Sequence, residues 1–287
     1  TRLSEPDDYF LLSQAISYQK YDLNNYNTGL FTFGDGTSNN LSYTIGLSRN
    51  NLYTDPIFPT GGSSFTASAK FSFPYSLVNG VDYEALKDER DALDPSDEDD
   101  YARIGEIDQE RFKWLEFYKI KFRADWYTAL TKKLVLRPSV EFGFLGAYNN
   151  DRGVIPFERF FVGGDGLGNF ALDGREIIQL RGYPNQSLST TDGGSIYNKF
   201  SLELRHAITL GAQAKIYALG FLEGGQSINS FRDFNPFNVR RSAGFGLRIF
   251  MPAFGLLGID FGHAFDDLPD GTSPRKWETH FIIGQQF

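Results

Sequence analysis

The sequence predicts an all-β protein, a transmembrane antiparallel β-barrel, from its composition, its alternating segments and its last strand. Its 287 residues contain 28 Phe, 15 Tyr and 30 Gly against a single Met, a composition typical of strands and turns. The mean hydropathy is -0.34, and no run of about eighteen apolar residues occurs, so a helical membrane span is excluded. The final segment, 277–287, alternates and ends on an aromatic residue, as the closing strand of an outer-membrane barrel does. A membrane interpretation therefore requires a barrel.

Alternation is clearest where one face of a segment carries charges. Between residues 118 and 126, Ile120, Phe122 and Trp126 share one face, and Lys121 and Arg123 lie on the other. A soluble β-sandwich shows the same period with its apolar face inward, so alternation alone leaves both architectures open. Long strands with Lys, Arg and Glu in series favour a wet lumen and a lipid-facing exterior. We expect about eleven strands, near residues 9–21, 41–53, 64–74, 115–128, 133–147, 170–181, 194–208, 213–227, 240–252, 256–266 and 277–287.

Two segments of the single domain formed by residues 1–287 are predicted to be loops. Residues 82–110 are densely acidic with few counter-charges, which predicts a solvated extracellular loop, partly helical near residues 83–92. A calcium site there is disfavoured because the acids lack the glycine and the spacing of a calcium loop. Residues 156–193 form a long Gly-rich loop that carries Arg-Gly-Tyr. It does not resemble a phosphate-binding loop, because no Lys-Ser or Lys-Thr follows the glycines.

The net charge, the absence of cysteine and the positions of the histidines argue against several classes of function. The net charge of -8 argues against nucleic acid, and the absence of Cys removes disulfides and thiolate metal sites. His206, His263 and His280 lie in separate predicted strands, without metal-ligand spacing or a Gly-x-Ser-x-Gly elbow. We therefore expect no enzyme activity, no metal and no cofactor. The alternative is a hydrolase whose site is assembled across strands, and of the three histidines we expect His280 to point into the lumen.

An odd strand count and the start of the chain suggest a fragment. Bacterial single-chain barrels normally have an even number of strands. Residues 1–6 lack the apolar core of a signal peptide. We expect further strands before Thr1 in the parent protein.

Several ordered motifs resemble one family. Leu180-Arg181-Gly182-Tyr183 is similar to the Val-Arg-Gly-Phe/Tyr motif in the sixth extracellular loop of the BamA family, the outer-membrane barrel-assembly proteins. The resemblance implies a sixteen-strand barrel with five strands after this loop. It also implies that this chain is the C-terminal part, starting at about the sixth strand without the periplasmic POTRA repeats. The other segments that resemble the family are 48–51 with 57–63, 156–164, 241–252, 255–262 and 281–287.

The resemblance also implies site residues. Arg181 would insert into the lumen and pair with Glu203 and Glu223; simple solvation of the two acids in the lumen is the alternative. In the last strand, Gly284 would be a weak or kinking point, or would pack against a neighbouring ring. The lateral seam of the family lies between the first and last strands, where a client strand is added by β-augmentation. The residues assigned to this seam are Phe281, Ile283, Gly284, Gln285 and Phe287.

The implied function is the folding and insertion of β-barrel proteins at the outer membrane of a Gram-negative bacterium. The implied partners are unfolded outer-membrane barrel clients, Bam-type accessory lipoproteins, outer-membrane lipid and lipopolysaccharide, and surface partners at the extracellular loops; no nucleic acid is expected. A two-partner-secretion export pore shares the Arg-Gly-Tyr loop and remains the main alternative, distinguished by a single co-encoded client. A passive porin would explain the barrel but not the loop motif.

Overall fold

The computed structural model of the chain describes residues 1–3, 5, 7–24, 35–52, 55–167 and 175–284. In this part of the chain, ten long strands form one sheet, each antiparallel to its neighbours, and the predicted all-β antiparallel fold is confirmed. The strands are β1 Phe10–Leu23, β2 Gly36–Asn50, β3 Gly61–Ser72, β4 Tyr118–Ala129, β5 Leu134–Gly146, β6 Phe160–Val162, β7 Glu176–Ile178, β8 Ile196–Leu210, β9 Lys215–Ile228, β10 Arg240–Met251, β11 Gly255–Ala264 and β12 Glu278–Gly284, and the helices are a 3-10 turn Tyr75–Leu77, α1 Tyr83–Asp91 and α2 Glu98–Phe112.

The sheet follows the order of the chain, from β1 to β12, except that β5 pairs with β8. The two ends of the sheet differ in their connections. The connections at one end are shorter than those at the other, although 51–60 is nearly as long as 229–239. This asymmetry is typical of outer-membrane barrels, which have short periplasmic turns and long extracellular loops. The short connections are 51–60, 130–133, 211–214 and 252–254, and the long ones are 24–35, 73–117, 147–195, 229–239 and 265–277.

The two faces of the sheet separate apolar from polar side chains, because successive residues of a strand point to opposite sides. On the outer face Leu222, Phe245 and Ile283 expose 56%, 55% and 65% of their surface. On the inner face Lys119 and Asp260 are buried. A continuous exposed apolar face suits contact with lipid, and the charges turn inward as the alternation predicts.

The segment between β5 and β8, residues 147–195 (the long loop), covers the inner face. Its apolar side chains, among them Phe157, Phe160 and Leu180, join Tyr197 of β8 in a buried hydrophobic cluster. Burying this much apolar surface on an otherwise charged face fixes the loop as part of the folded core.

In the described part of the chain, ten of the eleven predicted strands are members of the sheet. The expected strand at 170–181 is not a member of the sheet. Its described part contains only β7, three residues that pair in parallel with β6 inside the long loop. The described sheet has an even number of strands, and parts of 41–53, 170–181 and 277–287 lie outside the described residues.

The acidic segment 82–110 differs from the expected solvated loop, because it contains two helices. The helix expected near 83–92 is α1, whereas α2 was not predicted. The side chain of Asp97 caps α2 by accepting hydrogen bonds from the N–H groups of residues 99 and 100. One face of α2 buries Ile104, Ile107 and Phe112. This apolar stripe was not recognised in the sequence because acidic residues surround it. In the described ranges, no helix is both long and apolar enough to cross a membrane.

Candidate functional site

The long loop is attached to β3 and β4 by partly buried ion pairs. Glu158 lies between Lys70 of β3 and Lys119 of β4, whose Nζ is 3.0 Å from Glu158 Oε2. Glu176 is 2.7 Å from the Nζ of Lys119 and 2.9 Å from that of Lys121. Burial alone would raise the pKa of Glu158, but Lys119 and Lys70 outweigh it and leave this pKa below its usual range. One side of the loop is therefore held by charge.

Arg181 attaches the other side of the loop to β8, β9 and β11. Its Nη2 donates to Glu203 Oε1 and Glu223 Oε1, both at 2.7 Å, and its Nη1 donates to Asp260 Oδ2 at 3.2 Å. The Arg181 backbone N–H donates to Glu223 Oε2 at 2.9 Å. The guanidinium carbon lies 3.8 Å from the centroid of the Phe221 ring, a cation–π contact. One arginine thus bridges three strands.

The sheet brings these carboxylates together through alternation and register. Glu203, Glu223 and Asp260 all point inward, and each is buried. Each also has a cation from the sheet itself, so Arg181 completes a network in which every carboxylate has more than one partner. Burial would lower the pKa of Arg181, but Glu223, Glu203 and Asp260 raise it above its ordinary value. The sheet cations are Arg137 and Arg205 at Glu203, Lys199 at Glu223 and Arg248 at Asp260.

Gly182 brings the loop backbone into contact with β11. Its φ is +90°, a region that favours glycine. A Cβ added to Gly262 of β11 would lie 2.5 Å from the Gly182 nitrogen, so the approach requires glycine at both positions. The Gly182 N–H donates to His280 Nε2 of β12 at 2.8 Å. Since Nε2 accepts, the histidine proton is on Nδ1. As the sequence predicts, His280 points inward.

Tyr183 ends the motif with a contact at the long-loop end of the sheet. Its hydroxyl donates to the carbonyl of Arg241 at 2.9 Å, and the carbonyl of Asp266 lies at 3.3 Å. Burial, together with the nearby Asp266 charge, raises the pKa of Tyr183 to about 12. The hydroxyl therefore remains a donor at neutral pH. With this contact to β10, the Arg-Gly-Tyr motif reaches every strand from β8 to β12.

The last strand is held from the loop side as well. The Phe281 N–H donates to Asp165 Oδ2 of the long loop at 3.0 Å, and Ile283 lies on the outer face. A Cβ on Gly284 would meet only Leu256 among described residues, at 3.6 Å, so no neighbouring ring explains this glycine. Gln285 and Phe287 lie outside the described residues.

The structure therefore brings together Arg181, Glu203 and Glu223, the residues that the motif suggested. Sequence reasoning missed Asp260 and the functional contact of His280. Strand alternation predicts that both side chains point inward. Asp260, for example, lies between the apolar Ile259 and Phe261. The contact of Asp165 had no sequence signal, since it depends on where a long loop is placed.

The arrangement can hold strands in position, and it leaves space beside the arginine. A polar cavity of about 440 Å³ adjoins the network and is lined by Arg123, Arg181, Lys199 and Glu223, among others. The described charges are already paired with one another. This geometry therefore supports a mechanical role for the cluster, in which charges fix the loop against the wall of the sheet.

Comparison with known proteins identifies a matching family model and structures with a similar fold. Residues 2–287 match the model of the Omp85 superfamily domain. The crystal structure of BamA from Haemophilus ducreyi lacking POTRA domains 1–3 is 16% identical with a TM-score of 0.60, covering 96% of this chain and 52% of that chain. CdiB from Escherichia coli is 13% identical with a TM-score of 0.50, covering 97% of this chain and 42% of that chain. The chain spans about half the length of these proteins, and no curated protein matches the sequence.

Proposed function

This chain belongs to the Omp85 superfamily, and on that premise we propose that it is the barrel part of a factor that folds and inserts β-barrel proteins into the outer membrane of a Gram-negative bacterium. The superfamily match confirms the resemblance predicted from the motifs, and the BamA likeness is one of fold. The superfamily and its β-barrel neighbours imply an outer-membrane location. The finer function and the partners are our proposal.

The observation that carries the proposal is the set of contacts by which the long loop holds the last strands of the sheet, including β12. Arg181 and Gly182 tie the loop to β8, β9, β11 and β12, while β12 pairs with β11 alone among the described strands. A client that enters lipid with unpaired backbone N–H and C=O groups pays several kcal/mol for each. An open edge offers those groups partners, because a new strand can pair with it by β-augmentation.

The Arg181 cluster supports this role by keeping the template in register. A one-residue slip of any strand would turn its apolar side chains inward. Arg181 bonds to Glu203 and Glu223 on adjacent strands and to Asp260 on a third, so a slip would break several buried ion pairs together. We infer that the cluster holds the wall while the edge exchanges strands.

The test uses the full-length protein in liposomes with a urea-unfolded barrel of another protein as client. Folding is followed by the heat-dependent gel shift of the client, with Bam-type accessory lipoproteins supplied. We expect faster folding than in empty liposomes, and loss of most of that gain in Arg181→Ala. Arg103→Ala is the matched control, because Arg103 forms exposed ion pairs on α2. No acceleration by the unaltered protein would overturn the proposal.

A two-partner-secretion export pore is the second candidate. It is favoured by the fold likeness to CdiB and by the polar cavity beside Arg181, which a withdrawn loop would enlarge. The two candidates differ in their clients: an assembly factor accelerates several unrelated barrels, whereas an export pore acts on one secreted partner. We further propose lipid, lipopolysaccharide and proteins at the extracellular loops as surface partners.

A further inference from the structure

The edge of β12 that faces away from β11 carries a contact with the long loop. β12 pairs with β11 from Glu278 to Gly284, and the described residues supply no strand on its other side. In an antiparallel pair, N–H groups point alternately toward and away from the partner strand. The Phe281 N–H points away from β11, because it donates to Asp165 Oδ2 at 3.0 Å. A loop carboxylate therefore takes the place of a neighbouring strand.

Asp165 is held for this contact by its own loop. Its other oxygen, Oδ1, accepts from the Leu167 N–H at 3.0 Å. Its N–H donates to Asn185 Oδ1 at 3.0 Å, and its carbonyl accepts from Gln179 Nε2 at 2.8 Å. The carboxylate thus needs little ordering to reach Phe281. Burial would raise the pKa of Asp165, but the hydrogen bonds from Leu167 and Phe281 leave it lowered, so the group is ionised at neutral pH.

We propose that Asp165 is an edge cap: its carboxylate blocks strand addition on β12, and an incoming client strand must displace it. One N–H has room for one strong acceptor, and a strand added beside β12 would bring a carbonyl to the N–H that Asp165 holds. Natural proteins often block exposed sheet edges with inward charges in this way. The proposal rests on the proposed function, because it names what controls access to that edge.

The faces of β12 define the partner that fits. Phe281 and Ile283 expose 53% and 65% of their surface on the outer face, whereas His280 is buried on the inner face. An added strand must continue both faces, apolar toward lipid and polar or small inward. That alternation is the pattern of a membrane barrel strand. The occupant is therefore an extended segment of an unfolded barrel client.

The cap and the Arg-Gly-Tyr motif contact adjacent residues of β12. His280 accepts from the Gly182 N–H, and its Nδ1 lies 3.9 Å from Asp165 Oδ2. Release of Asp165 frees the Phe281 N–H without breaking the Gly182 contact. The edge can therefore open while the motif keeps β12 attached to the loop.

The experiment places a photo-cross-linking benzoylphenylalanine at Thr279 of the full-length protein in liposomes and adds a urea-unfolded barrel. Asp165→Ala removes a hydrogen bond to a charged group, so a client strand no longer has to displace it. We therefore expect the early cross-link yield to be about tenfold higher in this variant. Asp165→Asn keeps an acceptor for Leu167 and should give a smaller rise. Asp94→Ala is the matched control. Asp94 forms the same kind of local turn as Asp165, in which its Oδ1 accepts from the N–H two residues later, that of Ser96, at 2.9 Å. Asp94 does not contact β12.

An unchanged yield in Asp165→Ala, with the variant still folded by its gel shift, would overturn the cap. So would an equal rise in Asp94→Ala, or cross-links that run only to another segment of the same chain. The two proposals fail separately. Cross-linking that responds to Asp165 without faster client folding removes the insertion function and keeps the cap. Faster folding that ignores Asp165 removes the cap alone.

Discussion

Replacing Arg181 with alanine should destabilise the barrel mainly through Glu223. Removing one partner of a buried ion pair typically costs about 3–5 kcal/mol. Among the described cations, Glu203 keeps two arginines and Asp260 keeps Arg248 at 2.6 Å, whereas Glu223 keeps one lysine, at 3.3 Å, together with neutral hydrogen bonds from Ser201 and the residue 181 N–H. Because each carboxylate retains a cation, we expect a loss at the low end of that range, about 3 kcal/mol.

A double-mutant cycle separates the contribution of each carboxylate. Glu223→Gln removes the charge that Arg181→Ala leaves poorly paired, so the two changes should couple by about 2 kcal/mol. The cycle with Glu203→Gln should couple by less than about 1 kcal/mol, because two other arginines hold Glu203. The free energy of unfolding is measured by urea titration in liposomes, with the fluorescence of the three tryptophans as signal.

The ranking of the two cycles is the critical result. Coupling with Glu203 that equals or exceeds coupling with Glu223 would refute the argument from remaining partners. A charge exchange, Arg181→Glu with Glu223→Arg, adds a direct check. If it restores nothing that Arg181→Glu alone loses, direct pairing between these two positions does not stabilise the barrel.

Two further predictions concern the attachment of the long loop. Gly262→Ala should displace the loop and lower the gel-shift temperature, because the added Cβ would lie 2.5 Å from the Gly182 nitrogen. Gly220→Ala is the control and should change little, because the nearest atom to its Cβ is 3.9 Å away. Equal effects of the two changes would contradict the close approach at Gly262. The ionised form of Glu158 stabilises the loop above the ordinary glutamate pKa of 4.5, and this contribution is lost as the pH falls through the lower folded-state pKa. Thermal unfolding at stepped pH should therefore show a smaller acid loss in Glu158→Gln, and an unchanged pH profile would contradict this role.

The long strands and their inward and outward faces could be predicted from the sequence, because strand alternation is a local pattern. Lys121 and Arg123 of β4 face inward, and Ile120 and Trp126 face outward, as their spacing predicts. Elements that depend on distant contacts were harder to predict. β7 gains its strand geometry from β6, and α2 gains its buried face from packing near the long loop, so neither has a strong pattern of its own.

The site divides in the same way. Arg181, Glu203 and Glu223 followed from a motif together with inward-facing positions, and Asp260 could have been added by the same alternation. The Asp165 contact could not, because its partner is the backbone N–H of Phe281, 116 residues away. A backbone donor leaves no residue type in the sequence to mark it.

The long loop is held unequally at its two kinds of contact, and this difference decides which contact yields first. At Arg181, loosening the loop would break several buried ion pairs together, at a total cost of about 3 kcal/mol or more. At Asp165, one charged hydrogen bond of about 1.5–3 kcal/mol closes the edge. An added strand supplies a replacement acceptor to Phe281, so the net barrier at the edge is smaller still. Strand addition should therefore open the Asp165 contact while the Arg181 cluster keeps the adjoining strands in register.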